Sequence, residues 1–260
     1  MSRTGGSSGR AREAERRSRG RVLFVAVLLA LAAVFLSPIG YLTAFGPNVG
    51  ALVDSNPQTT AVMQERADEA VREGRPFRRE QRWVPLGKIS PHLVRAVLVN
   101  EDAAFYAHKG FDVHEIKEAI RKDWKEKRFA RGASTITQQL AKNLYFGTEK
   151  SLRRKLLEAI TAWRIERTLS KDRILEIYLN VIEWGDGVYG AEAASRRYFG
   201  VGAGELAPRE AALLASSIPS PRRMNPADPG PYLRERAEIT LRRMGAVTPT
   251  PTAPSRAGAR

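Results

Sequence analysis

Two acidic residues, Glu101 and Glu158, stand where a carboxylate could do chemistry. Glu101 opens the stretch Glu101-Asp102-Ala-Ala-Phe105-Tyr-Ala-His108-Lys-Gly110, at the point where a helix beginning at Pro91 runs out of apolar residues. A carboxylate at the negative end of a helix dipole tends to have a raised pKa, which suits a general base better than a structural acid. An exposed polar loop after a helix would read the same way. Glu158 lies four residues after Arg154 and three after Lys155, so all three share one helix surface. That spacing fits an ordinary surface ion pair, which is common on helices and worth little.

A third stretch lies between them, from Gly132 to Tyr145. Thr135 with Gln138 has the spacing of a capping box, which accounts for both residues structurally. Thr135, Gln139 and Lys142 also share a helical face opposite Ile136 and Leu144. Such a face offers hydrogen bonds to sugar hydroxyls and one cation to a phosphate, beside a helix N-terminus that itself attracts anions. Further on, Gly185 to Gly190 spells G-x-G-x-x-G. No strand precedes it and no βαβ unit surrounds it, so the glycines mark a tight turn and not a dinucleotide site.

The elements that must position these groups read as mainly α. Ser90 and Pro91 have the types of an N-cap and a first helical residue, and Leu93, Val94, Val97 and Leu98 give that helix an apolar face. Val62, Ala67, Ala70 and Val71 have helical spacing ahead of Gly74. Ile136, Leu140 and Leu144 repeat every four residues, and so do Leu152, Leu156, Ala159 and Trp163; Ile174, Ile177 and Tyr178 extend the pattern. Residues 83–86 read as extended, because Pro85 biases its predecessor away from helix.

Val22 to Phe45 is a run of 24 residues without a charge, long enough to cross a bilayer as a helix. Seven arginines and two acids precede it, and no Lys or Arg follows until Arg66. That asymmetry predicts a cytoplasmic N-terminus and an exported body, with the chain retained by a single span in the inner membrane and the domain in the periplasm. The net charge of +15 calls for an anionic partner. Export argues against nucleic acid and for anionic lipid or a phosphorylated substrate. Without cysteine there is no disulfide and no thiolate chemistry, and no dedicated metal cage is evident. The expected organisation is a basic cytoplasmic tail (1–21), an anchor (22–45), a linker with a membrane-proximal helix (46–79), a main domain (80–245) and a Pro-rich tail (246–260). Within the main domain, a basic amphipathic stretch from Lys117 to Arg131 could rest on a membrane or simply be solvated.

Taken in order, E-D-x-x-F-x-x-H-x-G, G-A-S-T-I-T-Q-Q-L-x-K-N, the 57-residue interval from Glu101 to Glu158 (158 − 101), and L-N-x-x-E-W-G-x-G-V-Y-G resemble the family-51 glycosyltransferase domain. The resemblance covers about residues 80–245, and the last motif is similar to the stand-alone branch. It implies a lysozyme-like, two-lobed α-helical domain that polymerises peptidoglycan from lipid II and a growing glycan strand. It assigns catalysis to Glu101 and Glu158, and substrate binding to Asp102, Phe105, His108, Thr135, Gln138, Gln139, Lys142, Asn143, Arg154 and Lys155. A divalent cation, Mg or Mn, could bridge the pyrophosphate to an acid, and other cell-wall or division proteins could be partners. The S-x-x-K and K-T-G motifs of a transpeptidase are absent from the sequence.

Overall fold

The computed structural model describes residues 46–111, 134–149 and 151–246, together with Val22, residues 24–27 and Gly40. The chain divides into two units, Met1–Pro47 and Asn48–Arg260. Most of the apolar run over 22–45, the whole basic stretch from Lys117 to Arg131 and the tail from Thr248 lie outside the described residues. Among the described residues no helix is long and apolar enough to cross a membrane.

In the second unit, local chemistry sets most helix boundaries. Thr60 caps α1 (Ala61–Arg72), its hydroxyl accepting from the Met63 amide at 3.2 Å. Gly74, at a φ of +64°, turns the chain after it. Ser90 caps α2 (Pro91–Glu101), with proline at its first position where no amide partner is needed. Thr135 caps α3 (Ile136–Ala141) through a complete capping box with Gln138. A π turn, Lys142–Phe146, follows directly, closed by the Gly147 amide donating to the Lys142 carbonyl at 3.1 Å. Ser151 and Ser170 cap α4 (Leu152–Thr168) and α5 (Lys171–Val181). The remaining helices are α6 (Ala191–Phe199), α7 (Pro208–Ser217) and α8 (Pro231–Ala246).

Three short strands, β1 (Glu80–Gln81), β2 (Glu183–Gly185) and β3 (Val188–Tyr189), form one sheet in the order β1-β3-β2. Glu80 lies opposite Val188 in the parallel pair, and Glu183 opposite Tyr189 in the antiparallel one. The glycine-rich stretch is therefore a hairpin. A Cβ on Gly187 would meet the Arg78 carbonyl at 2.3 Å, and one on Gly190 the Asn180 carbonyl at 2.6 Å, so both glycines permit close backbone approach. Residues 86–88, at the end of the expected extended segment, form a 3₁₀ turn.

Two helical groups make up the body. Helices α2, α7 and α8 pack on one another, and α3 packs on α4 and α5. Leu93, Val97, Phe105, Ile136, Leu140, Ile165, Ile174, Ile177 and Tyr178 belong to one continuous apolar core. The periodicity of α4 predicts the helix correctly and its buried face incorrectly. Leu152 is 92% exposed and Trp163 49%, whereas Glu158, Thr161, Ala162 and Ile165 face inward. Val71 in α1 is likewise 79% exposed. In α4 the inward side is partly polar because Glu158 and its hydrogen-bonded neighbours lie there, so hydrophobicity alone picks the wrong stripe.

Candidate active site

Glu101 is the last residue of α2, and its side chain meets α3. The Gln139 amide nitrogen donates to Glu101 Oε2 at 2.8 Å, while the Gln139 carbonyl oxygen accepts from the Tyr178 hydroxyl of α5 at 2.9 Å. Tyr178 thus fixes which way the Gln139 amide points, and Gln139 orients the carboxylate. Burial raises the pKa of Glu101; the Gln139 hydrogen bond and the positive charges of Arg236 and Lys142 oppose that rise. The result is a half-buried acid pushed up from the ordinary carboxylate range.

The residues after Glu101 form the frame around it. Asp102 Oδ2 accepts from the Ile136 amide at 3.0 Å, joining the end of α2 to the start of α3. Its Oδ1 lies 2.8 Å from His108 Nε2, and His108 Nδ1 accepts from the Gly110 amide at 3.2 Å. With Nδ1 accepting, the imidazole proton sits on Nε2 and points at Asp102. The Thr135 hydroxyl donates to the Gly110 carbonyl at 2.8 Å, so the same loop is tied again to the cap of α3. Phe105 is fully buried beneath this loop, with the Lys171 ammonium 4.3 Å from its ring centre. Asn143 is buried and donates to the main-chain carbonyl of Gln139 at 2.8 Å. In this structure the polar groups of Asp102, His108, Thr135 and Gln138 all bond within the protein.

Glu158 is the second centre. It is only 2% exposed, yet both its oxygens meet cations: Arg154 at 2.5 Å and Lys155 at 3.3 Å. The Arg154 guanidinium also donates to the Gly147 carbonyl at 3.2 Å, and Lys155 donates to the Ser134 hydroxyl at 2.9 Å. Among the described residues, buried Arg154 Nε has no hydrogen-bond partner. Lys142 is the first residue of the π turn. Burial lowers its pKa, and among the charges that act on it are both Glu158 and Glu101, together with Arg154 and Lys155. Three cations therefore surround one carboxylate, an excess of positive charge in a partly buried place. Such a set suits a polyanionic group that the protein itself does not supply. Among the described residues no three His, Asp or Glu side chains cluster with metal-holding geometry.

Three participants escape sequence reasoning. Helical period marks Tyr178 as core, which it is, but says nothing of its hydroxyl; a buried tyrosine oxygen needs a partner, and that requirement was the available signal. Arg236 of α8 acts on Glu101 from 135 residues away (236 − 101), and nothing local announces it. Glu65 of α1 bonds to Thr148 at the end of the π turn.

A family model described as Transglycosylase matches residues 68–245, which contain both carboxylates and all three cations. The chain belongs to the transglycosylase family. Its relatives agree. A protein of Nitrosomonas eutropha is 44% identical over 226 residues, covering 87% of this chain and 88% of that one. Proteins of Nitrosospira multiformis and Chromobacterium violaceum are 40% and 43% identical, again over 87% of this chain and over 94% and 98% of their own. Each of the three is named a biosynthetic peptidoglycan transglycosylase.

Proposed function

We propose that this transglycosylase polymerises the glycan of peptidoglycan, transferring the growing strand from its polyprenyl pyrophosphate to the 4-hydroxyl of a lipid II acceptor. The acceptor oxygen attacks the anomeric carbon of the donor, and its proton passes to Glu101. The bond from that carbon to pyrophosphate oxygen breaks on the opposite face, and the electron pair leaves with the pyrophosphate. The α-linked donor becomes a β-1,4 product, with inversion. Lys142, Arg154 and Lys155 neutralise the leaving pyrophosphate, and Glu158 holds two of those cations in place. Gln139 aims Glu101, while Asp102, His108, Thr135, Gln138, Phe105 and Asn143 keep the frame in which both centres are held.

One observation carries this reading: a half-buried carboxylate held by a neutral amide, and a second carboxylate in contact with two cations, both act on the charge of Lys142. A hydrolase of the same polymer has no pyrophosphate to neutralise and no use for that cation set. A divalent cation, Mg or Mn, bridging pyrophosphate to Glu158 would compete with Arg154 and Lys155 for the same oxygens; activity that survives chelation would leave the three side chains as sufficient. The lack of S-x-x-K and K-T-G motifs supports glycosyl transfer without transpeptidation. The charge asymmetry around Val22 to Phe45 supports a single inner-membrane span with the domain in the periplasm, beside its lipid-linked substrates and within reach of other wall-synthesis proteins.

The test is to give the purified protein lipid-linked disaccharide-pentapeptide and analyse the products. Glycan polymer without hydrolytic fragments is expected from the native protein and none from Glu101→Gln. Polymer made by a correctly folded Glu101→Gln protein would remove Glu101 as the base. Release of fragments from preformed glycan would replace transfer by hydrolysis.

A further inference from the structure

The cation beside Glu158 is held by a turn, and the turn is held by a helix that carries no part of the chemistry. Arg154 donates to two acceptors, Glu158 Oε1 at 2.5 Å and the Gly147 carbonyl at 3.2 Å. Gly147 closes the π turn, with φ of +71° and ψ of −159°. The next residue, Thr148, directs its amide to Glu65 Oε2 at 2.6 Å and its hydroxyl to Glu65 Oε1. A Cβ on Gly147 would lie 2.5 Å from the same Glu65 oxygen, so the carboxylate sits directly against the turn backbone.

Helix α1 packs against that turn and is anchored elsewhere as well. Val62 and Met63 are buried, and Arg66 Nε donates to both oxygens of Glu183 on β2 at 3.2 and 3.3 Å. Glu65 meets no Lys or Arg among the described residues; its partners are the neutral amide and hydroxyl of Thr148. A carboxylate satisfied by a turn's backbone and not by a cation acts as a strut for that turn. Glu65 also precedes the matched family span, which begins at residue 68.

We infer that Glu65 is a positioning residue for Arg154: through Thr148 and the Gly147 carbonyl it sets where the guanidinium stands beside Glu158. This rests on Arg154 belonging to the pyrophosphate clamp. The helix that leads into the matched span thereby takes part in holding the leaving group, although it touches none of the reacting atoms.

A double-mutant cycle on the full chain tests the coupling, with kcat/KM for polymerisation from lipid-linked disaccharide-pentapeptide as the readout. Glu65→Ala should lower kcat/KM by about ten- to a hundredfold, the range in which small misplacements of a catalytic group act. In an Arg154→Ala background the same change should have little further effect, because Glu65 acts through Arg154. Glu65→Gln, which keeps one carbonyl acceptor for Thr148, should recover part of the loss. An equal fold loss from Glu65→Ala in both backgrounds overturns the inference, since a merely structural role would be additive. If Glu65→Ala does not fold, Thr148→Val removes one of the two bonds and serves in its place. An impaired Arg154→Ala protein with additive losses removes this inference alone; an Arg154→Ala protein of undiminished activity removes the pyrophosphate clamp as well.

Discussion

Glu101 is a half-buried glutamate and Glu158 a buried one, each on a helix, and their surroundings have little else in common. Glu101 ends its helix and meets a neutral amide; its nearest charges act from a distance. Glu158 lies in the middle of its helix and is in direct contact with Arg154 and Lys155. An acid raised by burial can take up a proton near neutral pH. An acid in contact with two cations serves as a counter-ion that organises positive charge. The difference shows that burial alone does not decide the work of a carboxylate; the charge of whatever is buried beside it does.

Glu101→Gln should break the comparison most completely. Loss of a general base typically costs 10²–10⁴-fold, so polymerisation should fall by about that factor. The same change should raise stability at neutral pH. The folded-state pKa of Glu101 lies above its ordinary value, so its favourable contribution is present while it is protonated and is lost as pH rises through the raised value. The variant should therefore melt at a higher temperature than the native protein at pH 7, and the gap should close as pH falls. A thermal melt at two pH values checks both parts. An unchanged or lower melting temperature at pH 7 would show that the site bears no cost of burying this charge.

Glu158→Gln comes next. It leaves Arg154 and Lys155 without their anion, and activity should drop by about 10²–10³-fold, as for loss of an electrostatic stabiliser. Unlike Glu101→Gln, it should also lower the melting temperature, because it leaves partly buried cations unpaired. If the two variants behaved alike in the melt, the contrast drawn between the sites would fail.

Arg236→Gln sharpens the contrast without removing either acid. The Arg236 charge holds the Glu101 pKa down, so its loss should move the acid limb of the kcat/KM profile to higher pH. The alkaline limb, which includes deprotonation of Lys142, should stay in place. A fall in rate with no movement of the acid limb would separate Arg236 from Glu101. The smallest effect is expected from Tyr178→Phe. It frees the Gln139 carbonyl from one buried hydrogen bond worth about 1 kcal/mol, and should lower kcat/KM by no more than about tenfold.

Local signals were legible. The Ser90-Pro91 start of α2 and the Thr135–Gln138 capping box follow from side-chain chemistry within one helical turn, and both stand where spacing puts them. The pairing of Arg154 with Glu158 is equally local. The face of α4 was not legible, because its inward side carries a glutamate and a threonine that hydrophobic period assigns to solvent. Contacts such as Glu101 with Gln139, 38 residues apart, and Glu65 with Thr148, 83 residues apart, depend on how helices pack, and no residue type in either pair foretells its partner. Three short strands also escaped, each only two or three residues long, too brief for any alternation to show.

The π turn at Lys142–Phe146 has a consequence for how this chain can change over time. A π turn accommodates one residue more than the α geometry it interrupts. Shortening it by a single residue would let the helix run on regularly and swing everything beyond it by about 100° around the axis. The Gly147 carbonyl would then face away from Arg154. Surface loops elsewhere can gain or lose residues freely, but here length itself is under constraint, and a deletion scan across 142–148 should find no viable shorter form.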